Sequence, residues 1–307
     1  FPREYMAALL TSVLDNSDKV SGYIGECREC GIALLPPDIN RSADRFTVEE
    51  GGIRFGLVAI KNIGRGFIQA VMRERETGGD FTSLYDFCSR MNGSEMNKRA
   101  VENLIRSGAF DSMGARRSQL IKVYESVMDS VAAQQRENVE GQMDFFSMAA
   151  DNDEKSNSVK EIPLPDIPEY TPEELMTMEK ATTGLYLSGH PMDHYRDAVR
   201  KLRAPTIVSI IEDFSRENGP ERFADGQRIT IAGVITSSKT KTTKNNSLMA
   251  YVMVEDDTAS MELLCFSRVL ETCGAYMKEN QAVVVKGRLS VRDEKAPQIM
   301  CDSIYPL

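Results

Sequence analysis

Much of what enzymes use is missing from this sequence. Its two histidines, His190 and His194, stand outside any HExxH helix, and there is neither a GxxxxGK[ST] loop nor a nucleophile elbow. These absences argue against zinc-peptidase, P-loop and serine-hydrolase chemistry. No run of about eighteen apolar residues is present to span a membrane. Of six cysteines only Cys27 and Cys30 form a CxxC, with no second pair at zinc-ribbon distance. "ECRECGI" reads as a helix end with Gly31 behind it, and Cys88, Cys265, Cys273 and Cys301 read as core thiols among apolar neighbours. The opening "FPREYMAALL" has no basic n-region, cleavage site or initiator Met, which suggests an excised fragment without a signal peptide, in a cytoplasmic setting. Asp151 and Asp153 fall in a polar tract, and Glu255, Asp256 and Asp257 read as a solvated strand-to-turn junction, so no carboxylate pair is placed for two-metal chemistry. We expect no catalytic residue and no cofactor in these residues.

What is present is ordinary for a globular chain of two or three units: 307 residues, 41% hydrophobic and 27% charged. The net charge of −9 hides an asymmetry. Residues 52–122 carry twelve Lys/Arg against seven Asp/Glu, and residues 123–180 carry four against fourteen. A basic block followed by an acidic one is expected when only part of a chain meets phosphate.

Residues 1–50 read as helical, with Met6, Leu9, Leu10 and Val13 on one face. Residues 51–131 form a second domain. In it "IRFGLVAI" precedes the turn "NIGRG" and a helix with Ile68, Val71 and Met72 on one side. A further helix at 82–91 is apolar at Leu84, Phe87, Cys88 and Met91, with Ser83 and Asp86 at capping-box spacing. Helices through Val101, Leu104 and Ile105, and through Leu120, Val123, Tyr124, Val127 and Val131, flank "SGAFDSMG". Residues 132–168 lose periodicity and read as an acidic, partly disordered linker. A helical connector, 169–227, opens on Thr171, Pro172 and Glu174, a strong helix start. Residues 228–307 give three strands, a helix and two strands, the order of an all-β OB-fold barrel.

Four stretches carry candidate chemistry. In the first turn, Lys61, Asn62, Ile63, Gly64, Arg65 and Gly66 place two glycines and two cations at a helix mouth, where exposed N–H groups suit a phosphate. About forty-five residues later the plan repeats: Ser107, Gly108, Ala109, Phe110 and Asp111, followed by Arg116 and Arg117. Two such turns can grip a sugar–phosphate backbone without reading bases. The loop after the first barrel strand carries Lys239, Lys241 and Lys244 and no acid, a usual oligonucleotide contact in OB-folds, with Tyr251 and Phe266 as possible stacking faces. Lastly, "EGQMDFFSM" sets Phe145 beside Phe146 in an acidic tract. Burying a Phe is worth roughly 1.5–3 kcal/mol, so the two either fold back or meet a pocket on another protein. His190–Pro191 after Gly189 reads as a turn rather than a site.

Taken in order, these segments resemble the C-terminal half of the bacterial C-family replicative polymerases, the alpha subunit of DNA polymerase III. "IRFGLVAIKNIGRG" through "NKRAVENLIRSGAFDSMG" is similar to their tandem helix-hairpin-helix domain, "CGIALLPPDINRS" to the end of their fingers, and "EKATTGLYLSGHPMDHY" and "RITIAGVITSSKTKTTKN" to the connector and the OB domain. The resemblance implies that the first hairpin turns hold duplex DNA and that the OB lysines sit near single-stranded template. It implies a sliding-clamp peptide at Gln142, Met143, Asp144, Phe145 and Phe146, docking aromatic anchors on a ring-shaped partner. It places the catalytic aspartates, and the magnesium of the intact polymerase, in a palm domain outside these residues, and contacts to other replisome subunits outside them as well. A stand-alone nucleic-acid-binding adaptor is the reading of another class.

Overall fold

The structure is a computed structural model describing residues 1–14, 17–93, 96–139, 162–216, 219–242, 246–291 and 296–307. It divides into two compact units, Phe1–Ser188 and Gly189–Leu307, each around its own apolar core. Among the described residues no helix is long and apolar enough to cross a membrane.

The first unit opens with α1 (Pro2–Ser12) and α2 (Ser17–Glu29). Gly31 takes φ +68° just past α2, and the Ile32 N–H returns to the Cys27 carbonyl at 2.7 Å. That left-handed glycine cap is the helix end read from "ECRECGI". The first fifty residues are not wholly helical. β1 (Ala33–Leu35) runs parallel to β3 (Gly52–Arg54), and β2 (Thr47–Glu49) pairs antiparallel to it. Three-residue strands are too short to leave a period in the sequence.

Four helices follow: α3 (Arg65–Gly78), α4 (Leu84–Met91), α5 (Lys98–Arg106) and α6 (Arg117–Val139). Ser83 caps α4 by accepting the Asp86 N–H at 3.1 Å, while the Asp86 carboxylate accepts from Thr82 at 3.0 Å. The apolar face of α4 is fully committed, with Leu84, Phe87, Cys88 and Met91 all buried. Phe87 is the hub of this core, meeting Phe81 at 5.0 Å, Phe110 at 5.1 Å and Phe67 at 6.2 Å between ring centroids, all edge to face. Such geometry adds about 0.5–1.5 kcal/mol per pair beyond burial. Burial also pushes the Cys88 thiol up to about 12, so it stays protonated and inert.

The unit closes with α7 (Pro172–Thr183), started by the capping box of Thr171 and Glu174. The boundary between the units therefore falls inside residues 169–227, with α7 in the first unit and α8 (Arg196–Leu202) and α9 (Ile207–Phe214) in the second.

In the second unit the strands β4 (Arg228–Thr242), β5 (Leu248–Glu255), β6 (Ser260–Phe266), β7 (Ala282–Ser290) and β8 (Gln298–Pro306) close a barrel in the order β4-β5-β6-β8-β7, with α10 (Ser267–Cys273) between β6 and β7. This is the OB arrangement that the strand order implied. Ile229, Ile231 and Ile235 all point inward. Asp256 is not solvated: it is buried, accepting the Ile207 N–H at 2.7 Å and so capping α9, and accepting Thr258 and Ala259 N–H groups. Burial raises its pKa despite those hydrogen bonds. His190 accepts the Met192 N–H on Nδ1 and donates its own backbone N–H to Asp193, closing a short turn.

Candidate nucleic-acid interface

The first turn is open to solvent. Lys61, Asn62, Gly64, Arg65 and Gly66 are exposed and Ile63 is half-buried. Gly64 is the N-cap of α3 and has no side chain to satisfy the first amides, and no acid lies in the first turn. The mouth of α3 thus combines unfilled N–H donors, the positive dipole end and the Arg65 guanidinium. The left-handed conformation falls on Asn62, φ +62°, whereas Gly64 is extended at φ −73°. Neither Gly64 nor Gly66 is left-handed, so the turn does not use glycine for its handedness. Lys61 is already engaged: its backbone N–H donates to Thr182 O at 2.8 Å and its Nζ to Ala181 O at 3.0 Å, at the end of α7. From below, Asn103 Nδ2 donates to the Lys61 carbonyl at 2.6 Å and ties this turn to α5.

The second turn is built differently. Ser107, Ala109 and Phe110 are buried, and Gly108 takes φ +84°. A Cβ on Gly108 would strike the Arg117 guanidinium and the Asp111 carboxylate. Arg117 was expected on the phosphate-facing side, but its side chain is only 7% exposed. Its Nη2 lies 2.7 Å from Asp111 Oδ2, and its Nη1 lies 3.1 Å from Glu179 Oε1, a carboxylate 1% exposed. The other Glu179 oxygen accepts the Leu187 and Ser188 amides at 3.0 and 2.9 Å. Arg117 is therefore a brace between the hairpin and α7. The mouth of α6 is filled too: Glu169 accepts the Arg117 N–H at 2.8 Å and the Ser118 N–H at 3.0 Å. Burial alone would raise the Glu169 pKa, but the Ser118, Tyr170 and Arg117 amides hold it below its ordinary value. Arg116, half exposed, donates to Ile167 O at 2.8 Å and lies 3.6 Å from Asp166.

On the barrel, Lys239 and Lys241 lie within β4 rather than in the loop expected after it, because the β4–β5 ladder runs on to Thr242. A bulge decides which way they face. The β4–β5 register shifts between Ile235 and Ser237, so Thr236 is an extra residue. Simple alternation from Ile235 would turn Lys239 and Lys241 into the core; the inserted residue flips the phase and both emerge exposed. Lys239 then stands directly across from Tyr251, Lys241 across from Met249, and Met249 across from Phe266. Tyr251 is half-buried and Phe266 is 43% exposed. Cations beside aromatic faces on one outer surface suit a strand with stacked bases. Lys244 and the peptide Gln142–Phe146 lie outside the described residues.

Two hairpins on a helical scaffold and a closed five-stranded barrel define a chain assembled from two nucleic-acid-binding folds. Comparison agrees: residues 31–120 match the helix-hairpin-helix motif family, and residues 229–307 match the OB-fold nucleic acid binding domain family. The chain is 37% identical over 299 residues to the DNA polymerase III subunit alpha of Saccharopolyspora erythraea, a match covering 95% of this chain and 24% of that protein. It is 32% identical to the Vibrio cholerae subunit over 95% of this chain and 24% of that protein, and 33% identical to the Mycobacterium tuberculosis subunit over 100% of this chain and 25% of that protein. The chain spans about a quarter of the length of these curated relatives. It belongs to the family of bacterial DNA polymerase III alpha subunits.

Proposed function

We propose that this chain is the DNA-handling and clamp-tethering portion of a replicative DNA polymerase, the whole protein carrying out DNA-directed DNA synthesis with magnesium in the cytoplasm. The observation that carries the reading is the open mouth of α3, where Gly64, Arg65 and Gly66 leave amides and a guanidinium facing solvent. A phosphate of duplex DNA accepts there without any base being read. Lys61 shapes the turn, and the second hairpin supports it from α5 through Asn103. On the barrel, Lys239 and Lys241 of β4 meet single-stranded template, and Lys244 adds a third cation a few positions further along the sequence.

The sliding clamp is met by Gln142, Met143, Asp144, Phe145 and Phe146. Two adjacent aromatic anchors entering a preformed pocket give modest affinity alone. With the polymerase already on the same duplex as the ring, the second contact becomes intramolecular and processivity follows. Other replisome subunits meet regions beyond these residues. Among the described residues no group of three or more His, Cys, Asp or Glu side chains could hold a metal ion, and no metal step is assigned to them.

The test is duplex binding by the full chain across a salt series. Arg65→Gln should lower affinity and reduce the log–log salt slope by about 0.9, one phosphate contact. An unchanged slope rejects the α3 mouth as a phosphate site.

A further inference from the structure

The outer wall of the barrel carries a second cationic surface besides the one around Lys239 and Lys241. At the start of β4, Arg228 lies directly across from Arg288 on β7, and Thr230 across from Lys286. Arg268 on α10 lines the same groove, whose volume is about 790 Å³. All four cations are exposed. Among the described residues the one ion pair they make is to Asp302, the extra residue of a register shift between β7 and β8, 3.7 Å from Arg288. Arg228 and Arg268 have no ion-pair partner among the described residues. Lys286 rests over the Tyr305 ring at 5.2 Å, which holds its ammonium in place.

Like charges directly opposed across an antiparallel pair destabilise a sheet. Here one such pair, Arg228 and Arg288, stands in a chain whose net charge is −9. An anion between them relieves the repulsion, and a guanidinium pair offers flat, bidentate donors suited to phosphate. The cations also do not converge on a point. Lys286 and Arg288 are two residues apart on one face of β7, roughly 6.6–6.8 Å along the strand. That is the order of separation of successive phosphates on an extended strand, whereas a single small anion would leave one of them unmet.

We propose that this groove on β4, β7, β8 and α10 is a binding site for the phosphodiester backbone of a single nucleic-acid strand, separate from the Lys239–Tyr251 face. It rests on the reading of the chain as a nucleic-acid handler, and adds a second track on the barrel. The site reads no bases, because the residues that line it include no aromatic platform.

The test uses the full chain, a fluorescent oligothymidylate, a duplex, and inorganic phosphate as probes. Arg228→Gln with Arg288→Gln should weaken oligothymidylate binding about tenfold and lower its salt slope by about 1.4, two single-strand contacts. Duplex binding should be unchanged. The same double variant should melt no lower than the parent, since it removes an opposed like-charged pair, so lost binding is not lost folding. Amide shifts of Thr230, Lys286 and Gly287 should move with oligothymidylate and far less with phosphate. If affinity and slope stay at parental values while Lys239→Gln with Lys241→Gln lowers them, the groove proposal fails and the polymerase reading stands. If phosphate shifts those amides as fully as the oligonucleotide does, the groove is a small-anion site and the strand proposal is overturned. A parent that binds neither duplex nor single strand overturns both.

Discussion

Arg117 Nη1 lies 3.1 Å from Glu179 Oε1, across 62 positions of chain, and both side chains are buried. A guanidinium out of water must keep its partners, and removing one from such a pair costs about 3–5 kcal/mol. Glu179→Ala should therefore lower the stability of the first unit by about 3 kcal/mol, somewhat less to the extent that Asp111 compensates. Arg117→Met with Glu179→Gln should recover more than half of the loss, because glutamine still accepts the Leu187 and Ser188 amides. Urea unfolding followed by circular dichroism measures both. A fully stable Glu179→Ala protein would refute the bracing role.

Glu169 predicts a pH dependence. Its carboxylate is held below the ordinary glutamate value by the amides it accepts, so its contribution to stability is complete above pH 4.5 and is lost as pH falls through the lower folded value. Other carboxylates titrate in the same window, so the informative quantity is a difference. The stability gap between parent and Glu169→Gln should be largest near neutrality and close as the solution is acidified. Hydrogen exchange at the Arg117 and Ser118 amides reports it directly, and a gap independent of pH would contradict the assignment.

The barrel face carries its own test. Base–aromatic stacking is worth about 1–3 kcal/mol per base. Tyr251→Ala should weaken oligothymidylate binding by roughly fivefold or more, an effect of that size, with no change in salt slope. Lys239→Gln should lower the slope. Loss of both by the same single change would mean that the two side chains do not act separately.

Replacing Phe145 and Phe146 together by Ala should abolish binding to the cognate sliding clamp and leave duplex affinity at the parental value. Surface-immobilised clamp with the full chain as analyte measures the first, and a duplex titration the second. Persistent clamp binding would remove the peptide from the mechanism.

Signals that act within a few residues were legible in the sequence. Thr171, Pro172 and Glu174 announce α7, and the spacing of Leu84, Phe87, Cys88 and Met91 announces a buried face. The alternation at Ile229, Ile231 and Ile235 announces a barrel wall. What escaped was decided at long range or by one inserted residue. Arg116 and Arg117 are neighbours of identical type, yet one is half exposed and the other is buried. The partner that separates them, Glu179, sits on a distant helix. The outward turn of Lys239 and Lys241 depends on the bulge at Thr236, which no alternation pattern reveals. The left-handed residue of the first turn is an asparagine beside two glycines, where composition points to the glycines.

The bracing of the hairpins by α7 also limits how the protein can be dissected. Trimmed to residues 51–131, the domain would retain a guanidinium stripped of its innermost counterion and a helix mouth with no lid. Its first turn would likewise lose both carbonyls that anchor Lys61. Affinities measured on such a truncation would describe a distorted grip, and the smallest faithful fragment runs on through Ser188.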